Sequence, residues 1–287
     1  MKKIILLGSM SLLTLSCGSD DDDNTVLDTT NPSLQSVILP VKISTDGESM
    51  KINYDGTKIL NITNPTNSGD KIIFTYAGDF VSNIKFYEDN ILQSATDYTY
   101  TNNLMTKAIN TEYSNSGAAE YIVIHTYTHV NANQINAKRQ VLHGPSTNYV
   151  INSVYNYSGG NLVSAPGSGS GTSNGVTTNY NQVASYTYTD KSYPFKNVKG
   201  FDKIIYNGDM SDGVSYMFSN LKNNISSYKE TVSYTSTGST GTSYTAYKFT
   251  TTFSSSGYPL YESRQPTDVN GVPTSSQPEI YTYEYNQ

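Results

Sequence analysis

The chain has 287 residues, 15% of them charged, with a net charge of −6, 26 tyrosines, no tryptophan and one cysteine. The acidic balance and the lack of a clustered basic stretch exclude a nucleic-acid-binding protein, because Lys and Arg displacing counterions from phosphates supply most of that affinity. One cysteine can make neither an intramolecular disulfide nor a thiolate metal cage.

Met1-Lys2-Lys3, an apolar run from Ile4 to Leu15, then Ser16 and Cys17 follow the order of a secretory signal. The 12 residues of the run would span about 18 Å as a helix, short of the roughly 30 Å hydrocarbon core of a bilayer, so the run is an address and not a stable membrane span. The segment Leu12-Leu13-Thr14-Leu15-Ser16-Cys17-Gly18 resembles the lipobox of bacterial lipoproteins, with Thr14 where that family usually carries Leu. The resemblance implies cleavage after Ser16 and acyl chains on Cys17, which hold a protein on a membrane when there are two or more of them. Residues 1–16 are therefore expected to be a lipoprotein signal peptide. Its removal takes away Lys2 and Lys3 and moves the formal charge from −6 to −8.

Ser19-Asp20-Asp21-Asp22-Asp23 is a run of like charge that stays solvated. It resembles the serine-plus-acidic export signal found just behind the lipidated cysteine of Bacteroidota lipoproteins, which implies display on the outer face of the outer membrane. The 16 residues from Gly18 to Ser33 reach at most about 50 Å. Residues 17–36 thus read as a lipidated cysteine with a flexible acidic tether, and residues 37–287 as the folded part.

That part is predicted to be all-β: a single antiparallel meander, rolled into a curved sheet or partly closed barrel. Tyr98-Thr-Tyr100, Tyr155-Asn-Tyr157, Tyr186-Thr-Tyr188 and Tyr281-Thr-Tyr283-Glu-Tyr285 alternate with the period of strands. In such a meander most of the rings are expected to cover the sheet with their hydroxyls in water. Turn clusters fall at Asn64 to Gly69, Glu88 to Asn90, Asn102-Asn103, Ser114 to Gly117, Gly159-Gly160 and Ser254 to Gly257. Ala165 to Gly175 and Thr235 to Ser243, rich in Ser, Thr and Gly, read as flexible connections. No helical periodicity follows Leu15.

A fuzzy repeat runs through these strands: alternating Tyr, a short Asn or Gly turn, then Leu or Ile. Tyr155-Asn-Tyr157-Ser-Gly-Gly-Asn161-Leu162 is its clearest copy and Tyr98-Thr-Tyr100-Thr-Asn-Asn103-Leu104 a looser one. The copies resemble the YD-type repeat of large secreted shell proteins, with Ser158 where that repeat has Asp. Tyr186-Thr-Tyr188-Thr-Asp190-Lys191 with Pro194-Phe195-Lys196, Asn223-Asn224-Ile225 and the closing Tyr281 to Asn286 resemble a group of Bacteroidota lipoproteins of unknown function. That resemblance implies a porin-like antiparallel sheet and brings no catalytic residues. A membrane-embedded barrel is rejected at the level of sequence. Spanning strands need a continuous apolar outer face, and Thr, Asn, Ser and Lys sit on both faces here.

Candidate chemistry is sparse. His125 and His129 are four apart, which in a strand separates them by about 13 Å, too far to share a metal; they read as surface histidines flanking Tyr127. His143, ahead of Gly144-Pro145, reads as a turn residue. Asn207-Gly-Asp209-Met-Ser211-Asp212-Gly213 is out of frame for a calcium loop, whose glycine stands sixth. Glu88-Asp89-Asn90 reads as a turn. No nucleophile elbow, phosphate loop or dinucleotide fingerprint appears, and no cofactor or metal is expected.

The reading as a whole is a lipid-anchored protein of the outer membrane, at the cell surface, without evident catalysis, serving as a binding or structural module. Its expected partners are the membrane through Cys17 and a glycan or protein ligand recognised by tyrosine rings. The alternative is an accessory protein or hydrolase acting on polysaccharide, since the two carboxylates of a glycosidase leave no local signature.

Overall fold

The computed structural model describes residues 37–45, 47–143, 147–208 and 217–286. Sixteen antiparallel strands follow one another in chain order. They are β1 (Pro40–Thr45), β2 (Glu48–Asp55), β3 (Lys58–Thr63), β4 (Lys71–Ala77), β5 (Phe80–Glu88), β6 (Ile91–Thr101), β7 (Leu104–Tyr113) and β8 (Ala119–Asn131). The second half comprises β9 (Gln134–His143), β10 (Thr147–Ser158), β11 (Asn161–Ser173), β12 (Val176–Ser192), β13 (Asn223–Ser236), β14 (Ser239–Phe253), β15 (Pro259–Pro266) and β16 (Glu279–Tyr285). Each strand pairs with its neighbours in sequence, and β16 pairs with β1, so the meander closes completely. Closure removes the unpaired edges that a long open sheet would present for aggregation.

The wall is uneven in height. Strands β1 to β4 have 6 to 8 residues, whereas β12 has 17 and β14 has 15. β1 begins and β16 ends at one rim, called lower here, and the tall strands rise toward the other.

Two expected flexible connections are strands instead. Ala165 to Gly175 lies mostly in β11, and Thr235 to Ser243 forms the β13–β14 hairpin. In β11 the glycines alternate with Pro166, Ser168, Ser170 and Thr172, a period of two that composition alone hides. Ser and Thr are adequate strand residues on a solvated outer face.

Polarity is that of a water-facing barrel. Ile52, Ile59, Ile62, Phe74, Val81, Ile84, Leu162, Ala184 and Ile225 point inward and are buried. Outward positions of the tall strands carry Ser168, Ser170, Asn179, Asn181, Ser185, Lys229 and Ser233. A half-buried apolar stretch, Ile109, Ile122, Ile124 and Leu142, crosses β7 to β9 on the outside without encircling the barrel.

The repeat has a geometric meaning at the lower rim. Tyr54, Tyr100 and Tyr188 end descending strands, and each sits opposite an apolar residue that opens an ascending one: Ile59, Met105 and Ile225. In each pair the register slips by one residue just before the tyrosine, a bulge that bends and twists the strand. In the Asn102-Asn103 copy the buried partner is therefore Met105, and Leu104 is exposed. The phenol groups donate to main-chain carbonyls at the start of the strand before: Tyr54 to Pro40 (2.6 Å), Tyr100 to Val81 (3.0 Å), Tyr188 to Leu162 (2.6 Å) and Tyr285 to Pro259 (2.8 Å). Asn102 and Asn103 both have positive φ, the signature of the tight turn whose twist matches a hairpin.

Tyrosine is therefore mainly an interior residue. Tyr127, Tyr155, Tyr186, Tyr193, Tyr206, Tyr228 and Tyr283 are buried, contrary to the expectation that the rings cover the sheet with hydroxyls in water. The reason is volume: a wide lumen needs large side chains, and a phenol can reach a carbonyl while its ring packs.

The segment between β12 and β13 completes the filling. Residues 193–208 and 217–222 run across the lower end, with a 3-10 turn at Phe201–Lys203. Phe195, Phe201 and Phe218 are buried, and Phe74 of the wall meets Phe218 edge to face at 5.1 Å. Phe195 and Phe201 each stand 5.6 Å from Phe218. Rim contacts pin this plug: Lys199 N donates to Thr57 O at 2.9 Å, and Asn197 Nδ2 to Ile38 O at 3.0 Å. Asn161 Oδ1 accepts from the main-chain N–H of Lys222 and of Asn223. At Gly200, with φ of 89°, a Cβ would press on Asp79 O at 2.9 Å, so only glycine lets the plug lie this close to the wall. Phe218→Ala should destabilise the protein by about 3–5 kcal/mol through loss of burial and the cavity left behind. Ser168→Ala on the outer wall should change stability by less than about 0.5 kcal/mol, both read from denaturant unfolding.

Candidate functional site

With the lower end closed, the inner surface remains to be searched for chemistry. Between plug and wall lies a cavity of about 20 Å³, lined by Ile43, Met50, Ile62, Ile72, Met217 and Phe218 among others. It is apolar and about the size of one water, so it is a packing defect and not a conduit.

A buried charged pair lies in the same interior. Glu262 and Arg264, two apart on β15, both face inward, with Arg264 Nε 2.9 Å from Glu262 Oε1. Asn224 Nδ2 donates to Glu262 Oε2 at 2.9 Å, and the guanidinium lies 3.9 Å over the Tyr281 ring. Glu262 is 0% exposed. A carboxylate so enclosed and so occupied has no route to a substrate; its geometry ties β13, β15 and β16 together.

The upper half of the tall wall differs. Burial falls off above Ala184, Tyr228 and Phe249, and the inward residues beyond become polar, small or aromatic. Successive strands there carry Tyr149 on β10, Gly169 and Gly171 on β11, Tyr180 on β12, Tyr234 on β13 and Gly241 on β14. The register sets Tyr149 opposite Gly171, Tyr180 opposite both Gly169 and Tyr234, and Tyr234 opposite Gly241. A Cβ on Gly171 would collide with the Tyr149 side chain, and one on Gly241 with the Tyr234 ring. A Cβ on Gly169 would meet the main chain of Val150 and Ile151. Glycine thus lets the wall bend sharply and lets rings lie across it. Tyr149 and Tyr180 are half-buried with centroids 6.1 Å apart, and Tyr234 is 37% exposed.

Charged groups stand at the margins: Arg139 on β9 shares the rung of Ile151 and Gly169, and Glu230 lies two inward positions below Tyr234. Arg139 Nη1 donates to the Tyr149 hydroxyl at 2.8 Å, and Gln182 Nε2 to Glu230 Oε1 at 2.6 Å. Beside them Glu112, Tyr121 and His143 form an inward row on β7 to β9, with the Tyr121 and His143 rings 5.8 Å apart. Burial, and secondarily Glu120, holds the Glu112 carboxyl above the usual carboxylate range, while His143 opposes them. Burial and the neighbouring Tyr149 push the Tyr121 phenol up.

The other residues singled out in the sequence fall in scattered places. His125 is buried and inward-facing on β8, a correction to its reading as a surface histidine, because the barrel lumen lies on that face of the strand. His129 Nε2 lies 2.8 Å from Met105 O. His143 ends β9 and is not part of a turn. Asp89 and Asn90 form the expected tight turn, both at positive φ. Among the described residues no cluster of three His, Cys, Asp or Glu could hold a metal, and no helix is long and apolar enough to cross a membrane. Cys17, Ser19, Asp20, Asp21, Asp22 and Asp23 lie outside the described residues, as do Asp209 to Gly213. The tall-wall tyrosines were not singled out in the sequence. Their signal is the every-second-residue glycine of Gly167 to Gly171.

Glu112 carries a pH consequence. Its folded state binds the proton more tightly than the unfolded chain, so its ionisation lowers stability as pH rises through the raised value, and the penalty is absent below about pH 4. Glu112→Gln should raise the unfolding midpoint at pH 7 and leave it unchanged near pH 3.5, measured by thermal unfolding at both pH values against the unsubstituted chain.

Comparison with known proteins agrees with the architecture. No family model and no curated protein matches the chain. Among solved structures it is similar to a porin-like protein from Bacteroides vulgatus, at 11% identity and a TM-score of 0.53, over 87% of this chain and 99% of that one. A porin-like protein from Bacteroides uniformis aligns at 11% identity and a TM-score of 0.47, over 86% and 96% of the two chains. The first likeness, at that identity, speaks for the fold alone: the chain is an all-β antiparallel meander closed as a sixteen-stranded barrel.

Proposed function

We propose that the protein is a lipid-anchored, water-facing binding module of the bacterial outer membrane rather than a channel. The observation that carries this reading is the distribution of polarity. The lumen is filled by inward side chains and by the plug, while the outer wall carries Ser, Asn, Thr and Lys where lipid would require an apolar band. Sixteen-stranded porins leave an aqueous channel; here Phe195, Phe201 and Phe218 occupy the lower end.

A barrel that does not enter lipid needs another attachment. Cys17, as an acylated N-terminus, supplies it, and residues 17–36 form the tether. Ser19 with Asp20, Asp21, Asp22 and Asp23 serves as the export signal that brings the domain to the cell surface. Both termini of the barrel lie at the lower rim, where Asn286 N donates to Leu39 O at 3.1 Å. A tether entering there leaves the tall, open wall pointing away from the membrane. A rigid scaffold with a solvent-facing aromatic mouth is a binding architecture, and its fully buried Glu262–Arg264 pair has no route to a substrate.

The test is fractionation of cells producing the full chain or Cys17→Ala. The intact chain should sediment with membranes and the variant should be released into the buffer-soluble fraction. Retention of Cys17→Ala in membranes after washing with high salt would contradict the reading.

A further inference from the structure

We propose that the tyrosine and glycine rungs on β10 to β14 form a stacking platform for a neutral oligosaccharide, an assignment that rests on the binding-module reading above. Three features of the wall argue for this ligand class. The first is ring presentation. Tyr234 lies across Gly241 and Tyr149 against Gly171, positions where any Cβ would displace the rings. The Tyr234 ring, held against the Gly241 backbone and 37% exposed, has one face left for a ligand, whereas Arg139 lies over the Tyr149 ring at 5.4 Å. Flat aromatic faces bind the C–H faces of sugar rings at low entropic cost, since a tyrosine side chain has few rotatable bonds to immobilise.

The second is the chemistry around the rings. The inward neighbours on these rungs are Thr178, Ser236, Ser239, Ser243 and Thr245. Hydroxyls donate and accept in the same way that sugar hydroxyls do. Large aliphatic side chains, which a protein partner would bury as anchors, are few: Val232 stands one inward position below Tyr234, and Ile151, opposite Gly169, is already buried. The third is charge. On β10 to β14 no inward ionised group stands beside Tyr180 or Tyr234; Glu230, two inward positions below Tyr234, is engaged by Gln182, and Arg139, three strands from Tyr180 on β9, is turned to the Tyr149 hydroxyl. An anionic polymer would find no cation presented to it there, which leaves neutral hexose or pentose chains.

The concave wall also has the right accessibility. The tyrosines stand above the level at which the interior becomes close-packed, so a chain can lie on them without displacing core. The Tyr149 hydroxyl is taken by Arg139, whereas Tyr234 is 37% exposed, and its hydroxyl would meet the ligand's own.

The experiment is titration of the full chain with malto-, cello-, xylo- and manno-oligosaccharides, and with polygalacturonate as the anionic comparison, followed by tyrosine fluorescence and by calorimetry. At least one neutral series should bind. Tyr234→Ala should weaken that binding at least tenfold, and Tyr234→Phe, which keeps the ring, should bind within about threefold of the unsubstituted chain. Tyr87→Ala, which removes an outward ring on β5, should leave binding unchanged and serves as the folding control. Binding of none of the neutral series, binding of polygalacturonate alone, or equal binding by Tyr234→Ala would each overturn the platform. Release of Cys17→Ala from membranes is read separately, so loss of the platform would leave the anchored-module reading standing.

Discussion

Closing sixteen strands into a ring encloses more space than the side chains of an ordinary strand can fill. A membrane porin accepts that space as a water channel. A barrel whose outer wall is polar must fill it, because its stability comes from apolar surface withdrawn inside. The rest of this structure follows from that requirement. It explains why the interior is rich in tyrosine, why residues 193–208 and 217–222 between β12 and β13 cross the lower end, and why aromatic rings from plug and wall meet edge to face there.

Tyrosine suits the task better than phenylalanine at the rim. A large ring inserted near the end of a barrel lies close to main-chain carbonyls that the ladder leaves unpaired, and an unsatisfied buried carbonyl is costly. The hydroxyls of Tyr54, Tyr100, Tyr188 and Tyr285 answer four of these carbonyls in the same relative position. The repeat in the sequence is thus the imprint of one local solution used again and again around the lower rim: bulge, inward ring, tight turn, buried aliphatic. Filling and closure stop where the short strands stop. The tall strands continue past them, and their inner face, freed from packing, keeps its rings and exchanges its aliphatic partners for Gly, Ser and Thr.

Much of the fold was legible in the sequence. Alternation in Tyr186-Thr-Tyr188 and Tyr281 to Tyr285, and turn pairs such as Asn102-Asn103, define antiparallel hairpins on their own, because period and turn chemistry are local. Full closure was not legible, since pairing of β16 with β1 joins residues some 240 apart through a main-chain ladder and a side-chain contact, Lys42 to Glu284, that no local pattern announces. The plug escaped for a related reason: Phe195, Phe201 and Phe218 follow no period, and only the enclosing wall makes them a core. Gly167, Gly169 and Gly171 were misread because Gly and Ser at high density look like a linker until their alternation is matched to a face. The histidine spacing was interpreted correctly as a strand, but which face carried His125 depended on which side the barrel closed. Nothing in the sequence alone joins Tyr149, Tyr180 and Tyr234, which come together across β10 to β13.

The central claim is that the outer wall faces water. It is tested most directly by placing a single thiol at outward mid-wall positions, Asn136→Cys and Ser185→Cys, and measuring reaction with a membrane-impermeant maleimide in native membranes, relative to the unsubstituted chain. Both positions are exposed and lie beside buried inward neighbours, Ala137 and Ala184. The account predicts rapid labelling at both that detergent does not increase. Labelling that appears only after detergent extraction would show these positions to be covered by lipid and would contradict it.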